Sequence, residues 1–200
     1  MADMGALERL LILSPFRTWF QGPEVNAFRR WSALEPGGTL LEVGCGNGAS
    51  TRLLAERLRP RRLVAFDYDP ALVDMARRRV RHLPPHVAID LTVADAARMP
   101  FAGGQFDAAF EVGVIHHVPE WQTMLREVAR VLRPGGLLVF AEPSRGRLTR
   151  GLYRIFPHDP DSMFSPEELA KALAEAGLEP RPPFRWLPLW DLAGLARRAD

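Results

Sequence analysis

The 200-residue chain holds one cysteine, one lysine and two tyrosines, and it has little excess charge of either sign. The single cysteine, Cys45, excludes an internal disulfide framework and a cysteine-rich zinc site, and it points to a reducing compartment. Nowhere do the roughly 18 uninterrupted apolar residues of a membrane span occur, and the early run Leu10 to Leu13 is too short for a signal-peptide core. A cytoplasmic protein without a membrane span is expected. Twenty-six basic residues, all arginine but Lys171, stand against 24 acidic ones for a net charge of +2. Binding a polyanion needs a basic excess gathered on one surface, so no nucleic-acid partner is expected. The cluster Arg77, Arg78, Arg79 and Arg81 falls at the end of an expected helix, where cations suit the dipole, and reads as a solvated helix end. His82, His86 and His158 are scattered, so no metal site follows.

What is present is the composition of one packed domain, 47% hydrophobic with 16 glycines and 18 prolines. The segment Leu7 to Phe20, interrupted by Pro15, reads as a helix that caps the core. From Thr39 the rhythm alternates. Thr39 to Val43, Leu63 to Phe66, Val87 to Ala94, Phe106 to Val112 and Leu137 to Ala141 are short apolar runs, separated by helical patterns that include Trp121 to Leu132. Crossovers of this kind place strands parallel and bury both sheet faces. Ser165 caps a further helix from Pro166 to about Ala176, with Glu168 in the capping-box position and Gly177 as the stop. Leu178 to Ala196 reads as two short strands at an antiparallel edge. The expected fold is α/β, a doubly wound, mostly parallel seven-stranded sheet. A helical cap is expected over 1–37, a cofactor core over 38–142, a substrate lid over 143–164, and a helix with edge strands over 165–200.

Between the first strand and its helix lies Glu42-Val43-Gly44-Cys45-Gly46-Asn47-Gly48, whose glycines let backbone approach a ligand closely. Gly44, Gly46 and Ala49 also satisfy a dinucleotide fingerprint, with the acid Asp67 about twenty residues on. The loop alone leaves the ligand open.

Four further segments accompany the loop: Phe66-Asp67-Tyr68-Asp69-Pro70, the stretch Ala94-Asp95-Ala96 to Phe101, Phe106 to Glu111, and Leu132-Arg133-Pro134-Gly135-Gly136-Leu137-Leu138. With them the chain resembles the class I S-adenosylmethionine-dependent methyltransferases, closely over about residues 38–142, and most of all their small-molecule branch of quinone-biosynthesis enzymes. The resemblance implies a Rossmann-like sheet with S-adenosylmethionine as cofactor. It implies that Glu42 attracts the cofactor's ammonium, while the backbone of Gly44, Cys45, Gly46, Asn47 and Gly48 faces its carboxylate. Asp67 would accept from both ribose hydroxyls, Tyr68 would lie beside the adenine, and Asp95 with the amide of Ala96 would meet the adenine edge. Glu111 and Val112 would complete the cofactor site. For Asp67 and Asp95 an ordinary helix cap is the competing role, and for the Cys45 side chain simple packing.

Transfer from a sulfonium is mainly a matter of alignment, and a base is needed only for an acceptor that arrives protonated. His116 and His117 follow the fourth strand, where open α/β sheets place ligands, and are the candidate catalytic pair; a positioning role is the favoured one. Phe110-Glu111-Val112-Gly113 departs from the Asn-Pro-Pro-Tyr type of motif that grips nucleic-acid bases. The expected acceptor is a small apolar or aromatic molecule, covered by Trp19, Phe20, Tyr153, Phe156, Met163 and Phe164, with Arg145, Arg147, Arg150 or Arg154 for an anionic group. The alternatives are a nicotinamide-dependent oxidoreductase and a cofactor-binding regulatory protein without transfer activity.

Overall fold

The computed structural model describes residues 14–83, 87–150, 159–187 and 189–200. Helix α1 (Pro15–Ser32) leads into strand β1 (Thr39–Val43), helix α2 (Ala49–Leu58), β2 (Arg62–Asp67), α3 (Pro70–Val80) and β3 (Ala88–Val93). There follow β4 (Phe106–Val112), a 3-10 turn (Ile115–His117), α4 (Trp121–Val131), β5 (Leu132–Glu142) and the one-turn α5 (Arg145–Leu148). A second 3-10 turn (Pro160–Ser162), α6 (Pro166–Glu175), β6 (Leu178–Leu187) and β7 (Trp190–Arg198) complete the chain. The sheet order is β3-β2-β1-β4-β5-β7-β6, with the first five strands parallel and β7 antiparallel to both β5 and β6. The expected doubly wound sheet with an antiparallel edge is therefore the observed one.

Every residue of β1 is buried, as suits a central parallel strand covered on both faces. Because neighbouring side chains point to opposite faces, Leu40 packs with Leu63, Phe110, Val139 and the α1 and α2 residues Val25, Phe28 and Leu54. Leu41, Val43, Phe66 and Phe140 pack with Met124, Leu125 and Val128 of α4 and Leu169 and Leu173 of α6. The buried positions of α4 recur at three- and four-residue steps and form one face. Strand order reverses between β1 and β4. The carboxyl ends of these two strands are where this architecture places ligands.

Pro15 is the first residue of α1, where its missing N–H goes unneeded, and Leu7 to Leu13 lies outside the described residues. Two boundaries differ from the sequence expectation. Arg133 to Gly136 is not a break between helix and strand. β5 begins at Leu132, opposite Phe106, and the register then shifts so that Leu137 faces Ala108, with Gly135 taking φ 70° inside the resulting irregularity. The two edge strands are long, and the prolines of β6 are tolerated because that strand is outermost. The capping box of α6 is present as expected: Glu168 N–H donates to Ser165 Oγ at 3.2 Å, and Ser165 N–H to Glu168 Oε2 at 2.7 Å.

Candidate functional site

The glycine loop turns back from β1 through three left-handed residues, Gly44 (φ 73°), Gly46 (φ 51°) and Gly48 (φ 80°). A Cβ on Gly44 would overlap Val114 Cγ2, and one on Gly48 would stand 2.6 Å from Ala76 Cα of α3. A Cβ on Gly46 would meet nothing within 4 Å, so space opens on that side of the loop. Asp67, at the end of β2, holds the loop in place. Its Oδ2 accepts from Gly46 N–H at 2.9 Å and its Oδ1 from Asp69 N–H at 3.0 Å. A carboxylate has about four acceptor positions, so these bonds leave capacity for two hydroxyls. Burial raises the Asp67 pKa, against the lowering effect of these amides.

Glu42 is buried in β1 beside the loop, and its Oε2 has no hydrogen-bond partner. Burial pushes its carboxyl up to about 7, opposed by the nearby Ser50 and Thr51 hydroxyls and reinforced by the charge of Asp67. Cys45 packs with Ala65 and Ala76, and burial with the neighbouring carboxylates raises its thiol pKa, so its side chain is a packing group. Asn47 Oδ1 accepts from Ala49 N–H at 3.2 Å and from Arg79 Nη1, which fixes the exit of the loop into α2. Tyr68 is about half exposed next to Asp67. Asp95 caps its own turn, accepting from Ala97 N–H at 2.9 Å, while the following Ala96 is buried.

At the end of β4 the structure shows a residue the sequence reading passed over. Glu142 ends β5, fully buried, two residues beyond Phe140, which pairs with Glu111 on β4. Its Oε1 accepts from Val114 N–H at 2.7 Å and Ile115 N–H at 2.9 Å, and its Oε2 lies 2.5 Å from His116 Nδ1. Glu111 Oε1 shares the Val114 amide, also at 2.7 Å. Burial, then the charge of Glu142, hold the Glu111 carboxyl well above the usual carboxylate range. Burial also raises Glu142, but hydrogen bonds from Glu111 and from the amides of Ile115, Val114 and His116 oppose it. Among the described residues no group of His, Cys, Asp or Glu is placed to hold a metal ion.

His116 is buried and His117 half-buried, with ring centroids 4.0 Å apart. The expected lid is anchored at both ends. Ser144 donates through N and Oγ to Asp191 at 2.7 and 2.6 Å, and Ser162 Oγ donates to the His116 carbonyl at 2.5 Å. Phe164, expected on the lid's apolar surface, is instead core, its ring 4.9 Å from that of Trp121. Tyr153, Arg154 and Phe156 lie outside the described residues. The pointer to Glu142 in the sequence is a charged residue ending the apolar run Leu137 to Ala141.

A switch-point crevice with a glycine loop on one side and an acid ending the second strand defines an α/β protein that binds a nucleoside cofactor. Residues 41–140 match the model of the methyltransferase domain, and the chain belongs to that family, the class I S-adenosylmethionine-dependent methyltransferases. Membership settles the ligand that the loop alone left open. A 2-methyl-6-phytyl-1,4-hydroquinone methyltransferase from Synechocystis is 35% identical over 125 residues, 59% of this chain and 37% of the relative. A 2-phytyl-1,4-naphtoquinone methyltransferase from Synechococcus elongatus is 37% identical over 107 residues, 53% of this chain and 46% of the relative. The chain thus spans less than half the length of these curated relatives. A solved methyltransferase from Aquifex aeolicus shares the fold, with a TM-score of 0.77 over 98% of this chain and 100% of that one at 20% identity.

S-adenosylmethionine is the family's cofactor, and the residues present fit it. Glu42 Oε2 is a buried, unpartnered acceptor of the kind an ammonium would complete. The open side of Gly46 leaves room for a ligand against the backbone, and Asp67 retains acceptor capacity beside it.

Proposed function

We propose that the chain transfers the methyl group of S-adenosylmethionine to a small, apolar or aromatic acceptor by in-line displacement. The observation that carries this reading is the convergence of Glu42, the open face of Gly46 and Asp67 at the carboxyl ends of β1 and β2, one strand away from the histidines after β4. Bound there, the cofactor supplies a methyl group on a positively charged sulfur, with a neutral thioether as leaving group. Glu42 and the loop amides hold the methionyl end, Asp67 takes the ribose hydroxyls, and Tyr68, Asp95 and Ala96 frame the base. Glu111 and Val112 close the site from β4. These contacts fix the donor, and alignment of the acceptor supplies most of the remaining acceleration.

His116, paired to Glu142, orients the wall of the acceptor site, and His117 is the group nearest solvent for an acceptor that must lose a proton. The phytyl hydroquinone and phytyl naphtoquinone in the names of the Synechocystis and Synechococcus relatives support an apolar acceptor class. The proposed cover is Ser144 to Phe164 together with Leu7 to Phe20; Ser144 and Ser162 are anchor points among its described residues, and its amide exchange slows when cofactor product and acceptor bind together.

Calorimetry tests the cofactor: S-adenosylhomocysteine binds and NAD does not, and the reverse result rejects the reading. A labelled-methyl assay with a metabolite extract then identifies the acceptor. Binding without transfer to any component would favour the regulatory alternative.

A further inference from the structure

Glu142 belongs to neither the glycine loop nor the histidine pair, yet it touches the segment between them. Its carboxylate lies against the first turn after β4 and receives the amides of Val114 and Ile115 on one oxygen. The other oxygen meets an imidazole nitrogen. The amides make Oε1 an obligate acceptor, and an ionised carboxylate accepts at both oxygens. With the carboxyl ionised, the form its two amide donors favour, the nitrogen facing Oε2 is the protonated one. Val114, held by the same carboxylate, is the residue that packs on the bare backbone of Gly44.

We propose that Glu142 is a positioning residue of the transfer site, which fixes His116 as the Nδ1–H tautomer and seats the Val114–His117 turn against the glycine loop. The proposal rests on the methyltransferase reading for its consequence in turnover, but not for the tautomer. Glu111 stands beside this carboxylate: its Oε1 shares the Val114 amide at 2.7 Å, and burial with the charge of Glu142 raises its own carboxyl. With Nδ1 bound as a donor, Nε2 of His116 is left as an acceptor. Neither residue needs to touch the reacting atoms. Their effect is to set which face of the imidazole donates and which accepts.

Glu142→Gln separates the two parts of this role. A glutamine oxygen can still accept from Val114 and Ile115, and turning the amide over would set its NH2 against those two donors, so the turn is held. Its nitrogen then faces His116 Nδ1 as a donor, which forces the proton to Nε2. The expected result, by 15N NMR of histidine-labelled protein with His116 assigned by its loss in His116→Gln, is an Nδ1–H tautomer in the wild type and an Nε2–H tautomer in Glu142→Gln. Glu111→Gln, which leaves the Glu142–His116 contact in place, keeps the wild-type tautomer and serves if Glu142→Gln does not fold. In the labelled-methyl assay kcat of Glu142→Gln falls about a hundredfold. The Kd for S-adenosylhomocysteine stays within about threefold, because the turn against the loop is unchanged. An Nε2–H tautomer in the wild type, or the same tautomer in Glu142→Gln, overturns the proposal, as does full turnover in a variant whose tautomer has inverted. A wild type that transfers no methyl group counts against the methyltransferase reading instead, and the NMR result still decides the Glu142 contact.

Discussion

Trp190 Nε1 donates a 2.7 Å hydrogen bond to Glu24 Oε1, joining residues 166 positions apart inside the core. Glu24 lies on α1 and Trp190 opens β7, so the bond ties the first described helix to the last strand. The indole edge reaches further: a Cβ on Gly113 would sit 2.5 Å from Trp190 Cη2. One side chain thus connects the N-terminal helix to the turn that carries the histidines. Replacing Trp190 by Phe keeps most of the ring but removes the donor from a buried carboxyl. A loss of about 1–3 kcal/mol in denaturant-induced unfolding is expected, and unaltered stability would show that the bond contributes nothing.

The glycine loop offers a comparison of two positions with the same backbone hand and different surroundings. Gly46→Ala meets open space and incurs only the left-handed backbone cost, about 1 kcal/mol. Gly44→Ala adds an overlap with Val114, whose turn is pinned by Glu142, and should lose about 2 kcal/mol or more. Thermal unfolding of both variants gives the order, and equal midpoints would mean that the Val114 turn yields.

Glu42 predicts a stability that depends on pH in an unusual direction for an acid. Its folded carboxyl, pushed up to about 7, binds its proton more tightly than the unfolded one near 4.5. The stabilisation it gives is therefore present below pH 4.5 and is lost as the pH rises to about 7. Glu42→Gln should match the wild type in acid and exceed it by about 3 kcal/mol at pH 8 in the absence of ligand. The same variant should bind S-adenosylhomocysteine more weakly, since the ammonium loses a charged partner. A variant less stable than the wild type at pH 8 would falsify this account of Glu42.

Asp67→Ala removes the acceptor of two loop amides as well as the proposed ribose contact. Affinity for S-adenosylhomocysteine should fall by about a hundredfold, the scale of two hydrogen bonds to a charged group. Amide exchange at Gly46 and Asp69 should quicken without ligand, because those N–H groups donate to Asp67. Unchanged affinity in a folded variant would take Asp67 out of the site.

The sheet and the glycine loop were legible because their signals are local. Thr39 to Val43 is a short run with Leu40, Leu41 and Val43 apolar, Gly44 to Gly48 alternates glycines, and Asp67 ends a strand, each visible without a partner. The Glu111–Glu142–His116 contact was not, because it joins residues 26 and more positions apart whose meeting depends on β4 and β5 lying in register. Glu24 was hidden for the same reason. Among Val25, Ala27 and Phe28 it reads as a solvent-facing acid until Trp190 is placed above it. Phe164 was assigned to the cover from its neighbours in the chain, whereas its place is decided by Trp121 of α4.

Pro180, Pro182 and Pro183 all fall on β6, the outermost strand beyond β7. Each lacks an amide hydrogen, and because N–H groups alternate between the two borders of a strand, a strand from another molecule arriving at the outer border finds fewer donors than a regular edge would offer. Growth of the sheet from copy to copy is thereby discouraged along this side, a safeguard against end-to-end stacking of the same kind that charged or bulged borders provide in other sheets.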